Sequence, residues 1–121
     1  MIGGLTMKFH HFGVTVNHLE EALDFFKSHL GFEEESRFVF MGEEIVFLTL
    51  GDFRIELVSS QEEHELNIHI CIEVNKLTDL MAQSKSFRKI EGPYKLDNGW
   101  QTIFYKGPNQ EIIEFLQIVS D

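Results

Sequence analysis

Two residue types that bind metal ions recur in this sequence at one fixed offset. His11 and His69 are 58 residues apart, and so are Glu56 and Glu114. Imidazole nitrogens and carboxylate oxygens are common ligands of nickel, cobalt, manganese and zinc. Taken singly, a glutamate on a strand usually lies on a solvated face, and a histidine on a strand more often makes a hydrogen bond than binds a metal ion. Their joint recurrence predicts one site in which these four residues hold one divalent metal ion.

The shared offset belongs to an internal repeat. Residues 9–58 align without a gap with residues 67–116, and ten of the fifty positions are identical. HFGVTVNHL, from His11, lies over HICIEVNKL, from His69, and FRIELV lies over EIIEFL. Such self-similarity indicates one structural unit present twice. We therefore expect one domain, 1–121, built from these two repeats.

Each repeat has the pattern of a strand, a helix and further strands. Alternating apolar residues from Phe12 to Val16 predict a strand, Asn17 has the position of a helix N-cap, and Gly31 that of a C-terminal cap. Asn75 begins the corresponding helix of the second repeat. Further strands are predicted at 36–41, 44–50, 53–58, 101–106 and 111–118. The sequence thus predicts an α+β fold of two βαβββ units.

The alternation of side chains along a strand places the histidines and glutamates away from the core. Glu56 lies between Ile55 and Leu57, and Glu114 has equally apolar neighbours. If helices cover one face of each sheet, the His and Glu side chains occupy the other face. Carboxylates among apolar side chains are costly unless a cation compensates their charge, which again favours a metal ion.

The amino-acid composition argues against two classes of binding partner. The chain has 20 acidic and 10 basic residues, a formal net charge of −10, which disfavours nucleic acid and anionic membranes. No apolar run approaches the roughly 20 residues of a membrane-spanning helix, and the N-terminus lacks the pattern of a signal peptide. Cys71 is the only cysteine. We expect a soluble, cytoplasmic protein.

These motifs together resemble the vicinal-oxygen-chelate superfamily, which includes glyoxalase I, methylmalonyl-CoA epimerase, extradiol dioxygenases, and fosfomycin-resistance and bleomycin-binding proteins. HFGVTV resembles the strand of the first ligand, FRIELV that of the second, HICIEV that of the third and PNQEIIEFL that of the last. The resemblance implies two βαβββ units paired into a U-shaped half-barrel around a metal ion. It assigns His11, Glu56, His69 and Glu114 as the ligands.

A four-ligand set implies the isomerase and lyase branch of this superfamily. The implied activity is that of a metal-dependent enzyme of the glyoxalase I type, which transfers a proton alpha to a carbonyl while an enediolate is held on the metal. Glu56 or Glu114 would be the base. A 2-oxoaldehyde thiol hemithioacetal or an acyl thioester would be the small-molecule substrate. Thr15 replaces the usual arginine of glyoxalase I, and Ile68 replaces a histidine of the epimerases, so neither substrate is favoured.

Two other functions remain open. A small-molecule binding or antibiotic-resistance protein of the same fold would use these residues without turnover. An extradiol-type dioxygenase is disfavoured because such enzymes use two histidines and one carboxylate, so Glu56 would be one ligand too many. An open half-barrel also exposes sheet edges, so we expect a homodimer. In some relatives two chains share each site.

Three residues are candidates for contact with a substrate. If Gly51-Asp52 is a two-residue turn, Phe47 pairs with Glu56, and Thr49 pairs with Arg54. Arg54 then either holds an anionic substrate group or neutralises the negative charge of nearby carboxylates. Tyr105 aligns with Phe47 in the repeat and is expected either to line the same surface or to be a packed aromatic.

Two further aromatic side chains have expected positions. Trp100 is expected on a loop, where it would cap a ligand or a dimer contact. His10 precedes a predicted ligand, but it should face the helix side or solvent and should not bind the metal.

Overall fold

The computed structural model describes residues 4–60, 67–84 and 87–118. The elements are β1 (Met7–Val16), α1 (Leu19–Asp24), a π-helical segment (Phe25–His29), β2 (Glu33–Phe40), β3 (Glu43–Leu50), β4 (Phe53–Ser59), β5 (Ile68–Val74), α2 (Leu77–Gln83), β6 (Arg88–Lys95), β7 (Gln101–Lys106) and β8 (Ile112–Gln117). The order β-α-β-β-β occurs twice, which confirms the predicted α+β fold of two βαβββ units. Within the described ranges no helix is long and apolar enough to cross a bilayer.

The chain forms two compact units. The first unit is His11–Ile68, and the second unit combines Met1–His10 with His69–Asp121. β1 therefore supplies residues 7–10 to the second unit and residues 11–16 to the first. The predicted domain limits stay a prediction.

In the first unit the strand order is β2-β3-β4-β1. β3 pairs antiparallel with both β2 and β4, and β4 pairs parallel with β1. Because β1 and β4 are parallel, the chain must cross over between them. α1 is part of this connection, and its Leu19 and Leu23 pack in the core of the unit. The buried core of this unit consists of Leu19, Leu23, Phe32, Val46, Leu48, Ile55 and Leu57.

The second unit has the corresponding order β5-β8-β7-β6, with the start of β1 beside β5. β5 and β8 are parallel, and β7 is antiparallel to both β8 and β6. Its buried core consists of Leu5, Val74, Leu77, Leu80, Ile103, Tyr105 and Phe115. Leu5 lies in a segment that the sequence patterns did not connect with the fold.

Both helices begin one residue later than predicted. α1 begins at Leu19, directly after His18 instead of Asn17, and α2 begins at Leu77, directly after Lys76 instead of Asn75. Asn75 instead accepts a hydrogen bond from the Thr6 N–H, at 2.9 Å. The Leu77 N–H donates to Oε1 of Gln117 on β8, at 2.7 Å. The amide group that satisfies the first turn of α2 thus comes from a distant strand.

Candidate metal centre

The first unit places a histidine beside a glutamate on the sheet face opposite its core. β1 and β4 pair so that Gly13 lies next to Glu56, and His11 is two residues before Gly13 on the same face. His11 Nε2 is 3.4 Å from Glu56 Oε1. His11 is 1% exposed and Glu56 is 8% exposed. The Phe47 ring packs edge-on against the His11 ring at 5.0 Å.

The second unit repeats this arrangement. Cys71 pairs with Glu114 across β5 and β8, and His69 is two residues before Cys71 on the same face. His69 Nε2 is 3.0 Å from Glu114 Oε1. The Phe104 ring packs edge-on against the His69 ring at 5.9 Å. The interplanar angles of the two His–Phe pairs are 72° and 73°, so the two units hold their pairs in the same way.

The donor atoms in each unit fit a divalent cation. Each unit offers one imidazole nitrogen and one carboxylate oxygen, the mixed set that suits nickel, cobalt, manganese and zinc. Glu56 and Glu114 are both buried, and a buried carboxylate is stable only when its charge is compensated. A divalent cation bound by the histidine and the glutamate of a unit would provide this compensation.

The predicted hairpin in the first unit has the predicted register. Phe47 pairs with Glu56 and Thr49 pairs with Arg54, across a turn at Gly51 and Asp52. Arg54 makes two hydrogen bonds to Glu35, from Nε to Oε1 at 2.9 Å and from a terminal nitrogen to Oε2 at 3.0 Å. This bidentate pair corresponds to the second interpretation of Arg54, in which it offsets a nearby carboxylate.

Tyr105 is not the counterpart of Phe47, which corrects the alignment of the repeat. The residue that pairs with Glu114 is Phe104, as Phe47 pairs with Glu56. Tyr105 lies on the other face of β7, where it packs in the core against Phe115 with the ring centroids 5.8 Å apart. This buried position agrees with the alternative, a packed aromatic side chain, and contact of Tyr105 with a substrate stays a prediction.

The repeat alignment is off by one residue at β7 because the turn between β7 and β8 is one residue longer than the turn between β3 and β4. Gly107 N–H donates to Glu111 C=O at 2.8 Å, which leaves three residues, 108–110, in the turn. Gln110 has a φ of 71°, as expected for the left-handed position of a three-residue hairpin. The corresponding turn in the first unit has two residues. A shift of one residue moves every side chain of a strand to the opposite face.

Burial of Tyr105 predicts a change in the alkaline stability of the protein. Burial raises the pKa of this phenol above 10.0, so the folded state keeps the proton when the unfolded state has lost it. The stabilisation is complete below the unfolded pKa and is lost as the pH rises through the folded pKa. Tyr105→Phe should lose less stability than the wild type between about pH 9 and pH 11, as measured by urea unfolding. An equal loss in both proteins would contradict this.

His10 and Trp100 lie together in the second unit. The His10 ring is buried and meets the Trp100 ring edge-on, with the centroids 5.6 Å apart. Trp100 directly precedes β7, outside a regular element, as predicted. His10 is thus not exposed to solvent, and one of its contacts is with an aromatic side chain.

Thr102 contacts a predicted ligand, although no sequence pattern pointed to it. Its hydroxyl is 2.5 Å from Glu114 Oε2. The ungapped repeat gave no indication of this contact, because it aligned Ile45 with Ile103 and left Thr102 opposite Glu44. Only the register of β7 against β8 reveals that Thr102 shares a face with Glu114.

Known structures share this fold. A hypothetical protein from Bacillus halodurans C-125 superposes with a TM-score of 0.80 at 21% identity, over 96% of this chain and 97% of the other. Methylmalonyl-CoA epimerase from Mycobacterium tuberculosis superposes with a TM-score of 0.77 at 16% identity, over 93% of this chain and 88% of the epimerase. The third structure is a variant of the Streptomyces coelicolor methylmalonyl-CoA epimerase in complex with 2-nitronate-propionyl-CoA. Its TM-score is 0.76 at 16% identity, over 93% of this chain and 95% of the epimerase.

The sequence comparisons agree with the fold. No curated protein is similar enough in sequence to count as a match. The profile of one family, however, covers most of the chain, from residue 8 to residue 115. The chain belongs to the Glyoxalase/Bleomycin resistance protein/Dioxygenase superfamily.

Proposed function

We propose that this protein is a metal-dependent isomerase or lyase of the glyoxalase I type. In this proposal His11, Glu56, His69 and Glu114 hold one divalent cation, which is nickel, cobalt, manganese or zinc. The observation that carries the proposal is the equivalent placement, in each unit, of a histidine beside a buried glutamate on the face opposite the core. Membership of the superfamily supports it.

The side chains have distinct tasks in the proposed reaction. A bound divalent cation would polarise a substrate carbonyl as a Lewis acid. Glu56 or Glu114 then takes the proton from the carbon next to that carbonyl, as a general base. Phe47 packs against the buried His11 ring, where the exclusion of water strengthens electrostatic interactions, and Phe104 contacts the partly buried His69 ring.

We propose a small molecule with a carbonyl next to an acidic carbon as the substrate. A 2-oxoaldehyde thiol hemithioacetal and an acyl thioester both meet this description. The second class is supported by the structural similarity to methylmalonyl-CoA epimerases, one of which was solved in complex with methylmalonyl-CoA. Arg54 stays a candidate for an anionic substrate group, which would have to compete with Glu35 for the guanidinium.

Metal content and turnover test the proposal together. Protein purified without added metal should contain about one divalent ion per chain by elemental analysis. The protein loaded with each of the four metals should then turn over at least one member of a panel of thiol-linked carbonyl compounds. A protein that binds none of the four metals would overturn the proposal. Bound metal without turnover across the panel would favour a small-molecule binding protein.

We further propose that the protein acts as a homodimer in the cytoplasm. One arrangement to test is a shared site, in which His11 and Glu56 of one chain face His69 and Glu114 of another. Light scattering of the metal-loaded protein distinguishes the arrangements, because a metal-loaded monomer excludes a shared site. A dimer whose mass by light scattering does not change with salt concentration would support the oligomeric state that we propose.

A further inference from the structure

Trp100 lies on the same sheet face of the second unit as Glu114. Phe104 pairs with Glu114 across β7 and β8, and the hydroxyl of Thr102, two residues before Phe104, is 2.5 Å from Glu114 Oε2. Trp100 is two residues before Thr102. The Leu96 N–H donates to the Trp100 carbonyl oxygen at 2.7 Å, so the pairing of β6 with β7 continues to Trp100. Because side chains alternate along a strand, Trp100, Thr102 and Phe104 share one face.

The contacts of His10 place the indole of Trp100 over this face independently. Cys71 pairs with Glu114 and shares its face, and a ring nitrogen of His10 lies within 4.8 Å of Cys71 Sγ. The His10 ring in turn meets the Trp100 ring edge-on, with the centroids 5.6 Å apart. His10 is buried, whereas Trp100 is partly exposed. Trp100 thus packs on a buried neighbour while part of the residue stays accessible.

A tight hairpin turn fixes the backbone of Trp100. Residues 97–99 form this turn between β6 and β7. The Trp100 N–H donates to Oδ1 of Asn98 at 2.9 Å, and the Gly99 N–H donates to the Leu96 carbonyl oxygen at 3.0 Å. Gly99 has a φ of 90°, which suits the left-handed position of a three-residue hairpin. Since these contacts already order the loop, a ligand that touches Trp100 pays little conformational entropy.

The neighbours of Trp100 on this face make a surface without charge. Tyr94 pairs with Thr102 across β6 and β7, and Leu96 lies opposite Trp100. Both are partly buried. We call Tyr94, Leu96 and Trp100 the apolar platform. Two residues along a strand span about 7 Å, so Trp100 lies about that far from Thr102, which touches Glu114.

We propose that the apolar platform binds an apolar group of the substrate, with Trp100 as the main contact. This inference rests on the proposed function, in which Glu114 is a ligand of the cation that holds the substrate carbonyl. It adds that the substrate carries an aliphatic or aromatic group a few bonds away from that carbonyl. An indole offers a large, rigid apolar surface for such a group. The platform favours an apolar group over an ionic one, which would lose its hydration there without a charged partner.

The fluorescence of Trp100 tests this contact directly, because Trp100 is the only tryptophan of the chain. Acetohydroxamate and hydrocinnamohydroxamate chelate metal ions through the same two adjacent oxygens and differ only in their apolar group. In the Zn²⁺-loaded protein, hydrocinnamohydroxamate should shift the Trp100 emission to shorter wavelength, and acetohydroxamate should leave it nearly unchanged. Hydrocinnamohydroxamate should also bind about 10- to 100-fold more tightly, as expected for burial of its aromatic group.

Variants of Trp100 connect this preference with the indole. The binding of both hydroxamates to the Co²⁺-loaded protein is followed by visible absorption. Trp100→Ala should weaken the binding of hydrocinnamohydroxamate by about 10-fold or more and leave that of acetohydroxamate unchanged. Trp100→Phe should retain most of the preference. Phe87→Ala is the matched control, because Phe87 is an exposed aromatic residue that contacts Tyr105 on the other face of β7, and it should change neither affinity.

The outcomes separate this inference from the proposed function. Equal affinities of the wild type for the two hydroxamates, or equal weakening of both in Trp100→Ala, would overturn the role of the apolar platform and leave the proposed function intact. A monomeric Trp100→Ala protein that keeps the preference would overturn it as well and assign the platform to a dimer contact. A wild-type protein that binds no metal would overturn both proposals. If Trp100→Ala does not fold, Trp100→Gln also removes the apolar ring and decides the same question.

Discussion

Replacement of His69 by alanine is expected to reduce the metal content from about one ion per chain to nearly none. The loss of a side chain that only supports a ligand costs about 10- to 100-fold in metal affinity, and the loss of a ligand should cost more. The His69 ring lies beside Glu114, so its removal also leaves that buried carboxylate without the adjacent imidazole. Elemental analysis after dialysis against a weak chelator measures the effect, and His11→Ala should give the same result.

Two other histidines serve as controls for this experiment. His10 adjoins a proposed ligand in the sequence but packs against Trp100, and His18 is exposed before α1. His10→Phe and His18→Ala should therefore retain the metal. A His69→Ala protein that keeps one tightly bound ion, with its fold intact by circular dichroism, would refute the ligand assignment.

Replacement of Glu56 by glutamine is expected to lower turnover by about 10²- to 10⁴-fold, the usual contribution of a general base. The amide keeps the size of the side chain and still offers an oxygen to a cation, but it cannot accept the proton. Metal content should thus fall much less than turnover. The rate of solvent deuterium incorporation next to the substrate carbonyl is the direct measurement.

The corresponding change at Glu114 shows which glutamate is the base, because our proposal leaves both as candidates. The base is the residue whose replacement by glutamine lowers turnover much more than it lowers metal content. Glu44→Gln, on the surface of the same hairpin as Glu56 and bonded to Arg37, controls for loss of charge. Oxygenase activity that survives in Glu56→Gln would instead favour a dioxygenase.

The fold followed from the sequence because its strongest patterns are local. Alternating apolar residues around His11 and His69, and the turn at Gly51 and Asp52, determined the strands and one hairpin register. The resemblance to the vicinal-oxygen-chelate superfamily is confirmed by the family profile. The pairing of each predicted histidine with a glutamate is observed within its own unit. The role of the four residues as ligands of one ion stays a prediction.

The parts that failed depend on contacts between distant residues. Asn75 looked like an N-cap, but an amide from Gln117 on another strand satisfies the start of α2. Tyr105 aligned with Phe47, and Ile103 with Ile45, because an ungapped repeat cannot register a turn that is longer by one residue. Thr102 was missed for the same reason. Local periodicity predicts elements, but their register depends on the hydrogen bonds between strands.

The turn between β7 and β8 also determines how this protein tolerates evolutionary change. Surface loops usually accept insertions and deletions more readily than the elements they connect. Residues 108–110 fit this rule. With one of them removed, Gly107 and Glu111 could still pair across a two-residue turn, as Leu50 and Phe53 do in the first unit. Thr102 and Phe104 would then keep their face of β7. We expect a variant that lacks one of residues 108–110 to keep its fold, as measured by circular dichroism.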